Sequence, residues 1–509
     1  MRRVGNLGKW LPPRNQGKNA RLRPPSEDEG SILAMKCWLP NDAMNSRSNI
    51  TPSERRKWQK FVRDLLVERR RFTKNVWLSH FRRLVKNVTA QADILISIGA
   101  ERGPDALDPR EMLIWAWTVL MAKPPEDAQF YLRIPEEGPG GLKELADELR
   151  DRRYVFDKLD TALECQMRWL GALVRAIDAD LAGILSPSGS ITNSAEDWEM
   201  EGYPCYIVPI RRGYRKGNGK DRARRAMLYH AILPRQIGDL AVELAFVPDV
   251  EITEEPRRWT YGAPIFEGAT VDVEHVGADG FRVADAPLAD EEGCVAGHVR
   301  SALDGQCDAL VWPELTVPKD RLALIRAELR RDPLRDPRRI AITVAGSRHV
   351  EVGGKWFNRA EILFGKGQPL ASYDKRRTFE VEGRFERIDP GEKMLVLVTE
   401  DRLIGVAICK DFCDDVDNDA YRSLSLDLLL VPSMGKVSTI DAHLRHAKAL
   451  QSQQGTVSFV VQQVDVLTGT TRDAKEPLGY SFASPGGSGT ASSRNSRQSE
   501  RFRLHTARR

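Results

Sequence analysis

Three short strings hold the side chains best suited to chemistry: Trp312-Pro313-Glu314, Tyr373-Asp374-Lys375 and Ile408-Cys409-Lys410-Asp411. Each sets one reactive group directly behind a run with the texture of a buried strand: a carboxylate, an amine and a thiol, in that order. A thiol becomes a strong nucleophile only when a base removes its proton or a cation stabilises the thiolate. Glu314 can supply the base, and Lys375 can supply positive charge for an oxyanion. The chemistry this trio suits is acyl-transfer hydrolysis. Taken alone, Cys409 would pass for a core thiol, and Lys375 for one cation of the solvated run Lys375-Arg376-Arg377.

The elements that must position these groups lie in the last two-fifths of the chain. Strand-like runs at 281–284, 309–312, 340–346, 361–364, 370–373, 394–398, 403–408, 428–431 and 457–461 alternate with helical patterns at 293–303, 319–330 and 441–453. This alternation predicts an α/β domain. The earlier part differs. Thr51, Pro52 and Glu54 form a capping box that opens a helix, and Trp58, Phe61, Val62, Leu65 and Leu66 follow at helical spacing. The apolar stretch 112–122 predicts a buried helix. Leu163, Met167, Leu170, Val174, Ile177, Leu181 and Ile184 make the seam of another, packed inside a bundle. Expected boundaries are therefore a disordered basic arm at 1–50, a helical domain at 51–190 and a small β-containing connector at 195–277. The α/β domain should then occupy 278–485, with a disordered Ser/Gly/Arg-rich tail at 486–509.

At 509 residues, with 41% apolar and 29% charged residues, the chain is expected to fold as several soluble domains. A net charge of +5 permits an acidic partner locally without demanding one. The connector carries a basic, glycine-bearing run at 211–225 that could grip nucleic-acid phosphates, or simply form a solvated hairpin tip. Seven scattered cysteines without framework spacing suggest free thiols in a reducing compartment. With no apolar leader behind the basic N-terminus and no span-length apolar stretch, a cytoplasmic location and no membrane partner are expected.

In order, the three strings with their flanks (Leu310-Val311-Trp312-Pro313-Glu314, Tyr373-Asp374-Lys375 and Gly405-Val406-Ala407-Ile408-Cys409-Lys410-Asp411) resemble the nitrilase, or carbon–nitrogen hydrolase, superfamily. Gly346, Asn358, Pro390-Gly391, Leu430-Val431-Pro432-Ser433 and Gly479-Tyr480-Ser481 fall in the corresponding places. The resemblance implies a four-layer α-β-β-α sandwich, assembly as dimers through its helices and no metal or other cofactor. It implies a small amide or nitrile substrate, with Cys409 as nucleophile, Glu314 as general base and acid, and Lys375 with the backbone N–H of Lys410 holding the oxyanion. A further glutamate after the lysine box would position the others; Glu382 fits that slot best and Glu386 competes for it. Lys410 departs from the uncharged residue usual after the nucleophile, and the family normally continues through further strands where a tail is expected here.

Three rival readings use the same residues. Cys409, Cys413, His443 and His446 could be assembled into a zinc site, though the histidines are only three apart; as a pair they are expected at a helix edge. Phe412-Cys413-Asp414-Asp415 imitates the paired-carboxylate box of reverse transcriptases, without a second aspartate box upstream. The third is a catalytically weak, nitrilase-like sensing domain in a nucleic-acid-associated protein, of the kind linked to bacterial antiphage reverse transcriptases.

Overall fold

The computed structural model describes residues 50–96, 108–124, 130–152, 163–185, 195–210, 225–248, 259–331, 340–381, 383–413, 420–464, 477–484, 497–498 and 500–506. The basic arm at 1–49 and nearly all of the basic run, 211–224, lie outside the described residues, as do Glu382 and the Asp414-Asp415 pair.

The first part is helical: Pro52–Leu66 (α1), Lys74–Ile96 (α2), Pro109–Met121 (α3), Leu142–Asp151 (α4) and Leu163–Leu185 (α5). The Thr51 hydroxyl caps α1 by accepting the Glu54 N–H at 3.2 Å, and Pro52 occupies the first turn, where its missing N–H is no loss. α3 is buried almost all round, and Trp115 on it stacks against Trp58 of α1 with ring centroids 4.9 Å apart. Met167, Leu170, Val174, Ile177 and Leu181 of α5 face the same core.

A hairpin of Cys205–Pro209 (β1) and His230–Pro234 (β2) then acts as a two-sided wedge. Strand side chains alternate between faces. Accordingly Cys205, Ile207 and Ile232 enter the helical core, while Tyr206, Val208, Ala231 and Leu233 enter the core of the sheet that follows. Asp178 of α5 pins the wedge: it accepts the backbone N–H groups of Leu228 and Tyr229 and sits 2.9 Å from His230 Nδ1.

The remaining chain runs Gln236–Ile237 (β3), Leu240–Phe246 (β4), Thr260–Pro264 (β5), Asp272–Val276 (β6), Gly280–Asp285 (β7), Glu291–Asp304 (α6), Ala309–Val311 (β8), Lys319–Arg330 (α7), Ile340–Val344 (β9), Arg348–Val352 (β10), Lys355–Gly365 (β11) and Gln368–Asp374 (β12). It continues with Glu380–Val381 (β13), Arg384–Glu386 (β14), Lys393–Val398 (β15), Leu403–Val406 (β16), Leu428–Met434 (β17), Val437–Gln454 (α8), Val457–Gln463 (β18), Gly479–Ser484 (β19), Arg497–Gln498 (β20) and Phe502–Thr506 (β21). One sheet has the order β10-β11-β9-β8-β5-β21, with β12 on the other edge of β11; a second has the order β20-β19-β18-β17-β16-β15-β4-β3. A small third sheet, β13-β14-β7-β6, carries the segment after the lysine box.

The two large sheets face each other. Ala309, Val311, Ile342 and Val344 from the first meet Leu395, Leu397, Ile404, Val406, Leu428 and Leu430 from the second in one apolar cluster. Their neighbours in sequence point outward into other cores. Leu310 and Trp312 pack with Val295, Val299 and Ile325 of α6 and α7; Leu429 and Val431 pack with Ile440, Leu444 and Ala447 of α8. Strands buried on both faces are apolar throughout, which is why these runs stand out in the sequence.

Two expected boundaries need correction. The connector is not a separate segment, because β4 pairs with β15 along its full length and β5 pairs with β8, so both belong to the large sheets. The segment expected as a tail contributes β20 and β21, the latter in register with β5 from Phe502↔Pro264 to Thr506↔Thr260. Gln498 ties the two sheets there, donating to the Ala263 carbonyl and accepting the Ser481 hydroxyl. Two strands thus lie in the segment expected as a tail. Among the described residues no helix is long and apolar enough to cross a membrane.

Burial also predicts an acid response. Desolvation lowers the imidazoles of His298 and His505 to about 4 and that of His443 to about 3. The unfolded chain therefore takes up these protons first, at its ordinary value near 6.5. The stability these residues contribute is present above that value and is lost as pH falls towards the folded values. Each should cost about 1 kcal/mol per pH unit over that window. Urea midpoints should fall between about pH 7.5 and about pH 5; equal midpoints would contradict this.

Candidate active site

Glu314 leaves β8 on the turn Trp312-Pro313, held by the Trp312 N–H on the Val344 carbonyl. Gly346 has φ +56°, and a side-chain carbon there would lie 2.5 Å from the Pro313 carbonyl oxygen, so only glycine lets the two turns approach this closely. Lys375 ends β12. Its backbone N–H donates to Asn358 O and its carbonyl accepts the Gly391 N–H, both at 2.9 Å. A side chain at Gly391 would collide with the Asp374 carbonyl, which accounts for the Pro390-Gly391 landmark.

Cys409 follows β16 in a left-handed conformation, φ +44°, and opens a 3-10 turn, Cys409–Phe412. A non-glycine residue held there stores strain that its surroundings must enforce. Asp411 does much of the enforcing. Its carboxylate accepts the backbone N–H groups of Arg376 (3.1 Å) and Arg377 (2.9 Å) and the Tyr373 hydroxyl (2.9 Å), joining the cysteine turn to the lysine loop. Arg376 in turn donates to the Tyr373 and Tyr421 hydroxyls.

Two of the three predicted side chains touch, and Cys409 is linked to them through Met434. Lys375 Nζ lies 2.7 Å from Glu314 Oε1 and 2.7 Å from Glu386 Oε2, and Glu314, Lys375, Glu386 and Cys409 are each at most 2% exposed. Asn358 Nδ2 bridges the same two carboxylates at 2.9 and 2.8 Å. Glu314 Oε2 accepts the Met434 N–H at 3.1 Å, and Cys409 Sγ lies 3.5 Å from the Met434 carbonyl oxygen, so one residue touches both base and thiol. The fourth group in contact is Glu386, the competitor; Glu382 lies outside the described residues. β14 pairs in parallel with β7, Glu386 opposite Phe281, and this pairing carries Glu386 to the lysine.

Surroundings split the two carboxylates. Burial pushes both upward, but Glu386 accepts four donors: Lys375 Nζ, Asn358 Nδ2, His349 Nε2 (2.9 Å) and the Phe379 N–H (3.0 Å). Lysine and histidine outweigh its burial and hold it well below the usual carboxylate range. For Glu314 burial wins over Lys375, and Glu386 adds repulsion, so its carboxyl is raised. Burial works against the charge on Lys375, yet the two carboxylates together keep its ammonium well above the ordinary value. Burial and the Glu314 charge raise the Cys409 thiol well above the ordinary value, so the proton stays on sulfur at rest. Carboxyls pushed apart in this way have separate roles open to them: Glu386 a fixed anion, Glu314 a group able to take and return a proton.

No sequence motif pointed to His349. Its Nδ1 accepts the Val283 N–H at 2.7 Å, which leaves the ring proton on Nε2 to donate to Glu386. His443, expected at a helix edge, is instead fully buried on α8, with Nδ1 3.3 Å from Cys413 Sγ. The pair does not extend to a metal set, since no group of three or more His, Cys, Asp or Glu among the described residues is placed to hold an ion. Lys410 is half-buried directly after the nucleophile.

No protein-family model and no curated protein matches the sequence. Among solved structures, a CN-hydrolase superfamily protein from Xanthomonas campestris, with an arsenic adduct in its active site, is similar at 18% identity. That match covers 49% of this chain and 91% of the other, with a TM-score of 0.36. A nitrilase-superfamily member from Saccharomyces cerevisiae gives 13% identity over 49% of this chain and 89% of its own, with a TM-score of 0.34. A variant of the amidase from Nesterenkonia, with the acetamide moiety of fluoroacetamide added covalently at its active-site cysteine, gives 18% identity. It covers 44% of this chain and 81% of its own, with a TM-score of 0.32.

Proposed function

We propose that the chain hydrolyses a non-peptide carbon–nitrogen bond, an amide or a nitrile, on a nitrilase-type α-β-β-α sandwich, with Cys409 as nucleophile, Glu314 as base and acid, and Lys375 as oxyanion cation. The observation that carries this is the buried Lys375 ammonium held at 2.7 Å from both Glu314 and Glu386, with Cys409 joined to Glu314 through Met434. In the proposal Glu386, rather than Glu382, is the fourth member, and it fixes the lysine without touching the reacting atoms.

The steps balance as follows for an amide. Glu314 takes the thiol proton as Cys409 Sγ bonds to the carbonyl carbon, whose oxygen becomes the oxyanion. An ammonium has three N–H groups; two of those on Lys375 are committed to the carboxylates, and the third is left for the oxyanion, together with the Lys410 backbone N–H. Glu314 returns its proton to the leaving amine, and a thioester remains. Water then gives a proton to Glu314 and adds to the thioester, and the acid product leaves with the thiol restored. A nitrile would take the thiol proton, through Glu314, on its nitrogen to give a thioimidate; one water then adds and ammonia leaves to give the same thioester, which a second water hydrolyses.

The test is turnover of a panel of short aliphatic amides and nitriles by the full chain and by Glu314→Gln. The glutamine keeps the shape and still accepts from Lys375, but cannot accept the thiol proton, so kcat should fall about 10²–10⁴-fold. Equal rates in the two proteins, or no turnover of any panel member, would overturn the proposal. The nucleic-acid reading rests on the run at 211–225, nearly all of which is undescribed, and forms no part of the proposal.

A further inference from the structure

Charge is unevenly placed along the chain. Residues 52–88 hold twelve Lys or Arg against three Asp or Glu, a net +9; the whole chain carries +5, so all the rest together is −4. This region is α1, the turn after it and most of α2. Both helices lie on α3 by their apolar sides: Trp58 stacks on Trp115, and Trp77 Nε1 donates to the Val119 carbonyl at 2.7 Å. They also touch each other, with the Phe61 and His80 ring centroids 3.7 Å apart and Arg83 3.0 Å from Glu54. Two helices side by side on a third turn their opposite faces the same way, out from the core. On α1 that face holds Arg56 and Arg63, and on α2 it holds Asn75, Ser79, Arg82 and Lys86 at helical spacing, all exposed. The turn between them adds Arg69, in the left-handed region at φ +51°, and Arg71. It is pinned by the Arg70 N–H on the Asp64 carbonyl and by Phe72 against Phe61.

The carboxylates of the region are already paired: Glu54 with Lys57 and Arg83, Asp64 with Lys60 and Arg70, and Glu68 with Arg70. Arg56, Arg63, Arg69, Arg71, Arg82 and Lys86 have no ion-pair partner among the described residues. Exposed cations held together without counter-charges make a field that a polyanion relieves.

We propose that this face binds the phosphodiester backbone of a nucleic acid, independently of sequence. Five of the six free cations are arginines, whose planar fork matches a phosphate in a bidentate way. Asn75 and Ser79, on the same row as Arg82 and Lys86, add neutral donors of the kind that contact phosphate oxygens. At about 1.5 Å of rise per residue that row is about 16 Å long, enough to meet several phosphates. No platform for stacking bases is present, because Trp58, Phe61, Trp77 and Phe81 are all in the core and Phe72 packs on Phe61; hence backbone contact without base readout. An anionic membrane fits less well. A helix lying in a membrane surface inserts bulky apolar side chains, and at 52–88 Val76 is the one large apolar side chain exposed. The surface is separate from the run at 211–225 and from the proposed hydrolytic site.

The test is fluorescence anisotropy of the full chain with a labelled single-stranded RNA and a labelled duplex DNA of mixed sequence, titrated between about 50 and 200 mM salt. The variant carries Arg56→Gln, Arg63→Gln, Arg82→Gln and Lys86→Gln, all exposed positions where glutamine keeps helix propensity. Wild type should bind both probes with a steep salt dependence. Removing four phosphate contacts should make the slope of log affinity against log salt shallower by about 3 to 4 and weaken binding about 10²-fold or more at about 0.1 M salt. Arg56→Lys, Arg63→Lys and Arg82→Lys together should keep most of the slope, since they keep the charge. No binding by wild type at low salt, or an unchanged slope in the glutamine variant, would overturn the proposal. So would an equal loss in the lysine variant, or binding to phosphatidylserine vesicles without binding to either nucleic acid.

Discussion

Cys409→Ala should remove hydrolysis altogether, a loss on the order of 10⁴–10⁶-fold, while leaving the far-ultraviolet spectrum and the urea transition almost unchanged. The catalytic half follows from the covalent step, because the proposed acyl bond is made to the Cys409 sulfur. The other thiol at hand, Cys413, faces His443 instead. The structural half follows from the backbone. Asp411, Tyr373 and the N–H groups of Arg376 and Arg377 enforce the left-handed turn at φ +44°, and alanine strains it no more than cysteine does. The removed sulfur makes a long polar contact, 3.5 Å to the Met434 carbonyl. Residual turnover within tenfold of wild type would rule out Cys409 as the nucleophile.

Lys375→Met should be the most damaging single change to both activity and stability. The methionine keeps the apolar stem but removes the ammonium held between Glu314 and Glu386, leaving two buried carboxylates bridged by Asn358. Removing one partner of a buried ion pair costs about 3–5 kcal/mol, because the charge left behind is neither solvated nor paired. Glu314 is the group that can relieve this, since burial has already raised its carboxyl and protonation removes the repulsion. The gap in urea midpoint between variant and wild type should therefore be largest near neutral pH and narrow as the pH falls and Glu314 takes up its proton. A variant as stable as wild type at neutral pH would show that the lysine is not holding the two carboxylates.

Glu314 and Cys409 of the proposed trio were legible in the sequence because they follow strands buried on both faces, Ala309–Val311 and Leu403–Val406, and such strands are apolar without interruption. Lys375 follows the half-exposed Gln368–Asp374, and its Tyr373-Asp374-Lys375 string is what marked it. β21 was not legible: Phe502-Arg503-Leu504-His505-Thr506 alternates on a half-exposed edge strand inside an Arg/Ser-rich region, and only pairing with β5 identifies it. β5 itself, Thr260-Tyr261-Gly262-Ala263-Pro264, carries a glycine and a proline that argue against a strand. Glu382 and Glu386 could not be separated locally, because both lie within a few residues of a glycine turn (Gly383, φ +76°); the parallel pairing of β14 with β7 is what brings Glu386 to the lysine. His349 is a single polar residue on β10, and Glu386 lies on β14. Their contact comes from one short distance, 2.9 Å, which no spacing rule encodes.

The most direct measurement of the central claim is peptide-resolved mass spectrometry of the full chain, quenched in acid during turnover of an amide from the panel. The account predicts that the acyl mass sits on the peptide containing Cys409, accumulates within one turnover and is absent from Cys409→Ala. Turnover with no acyl group on Cys409, or with the acyl group on any other residue, would contradict it.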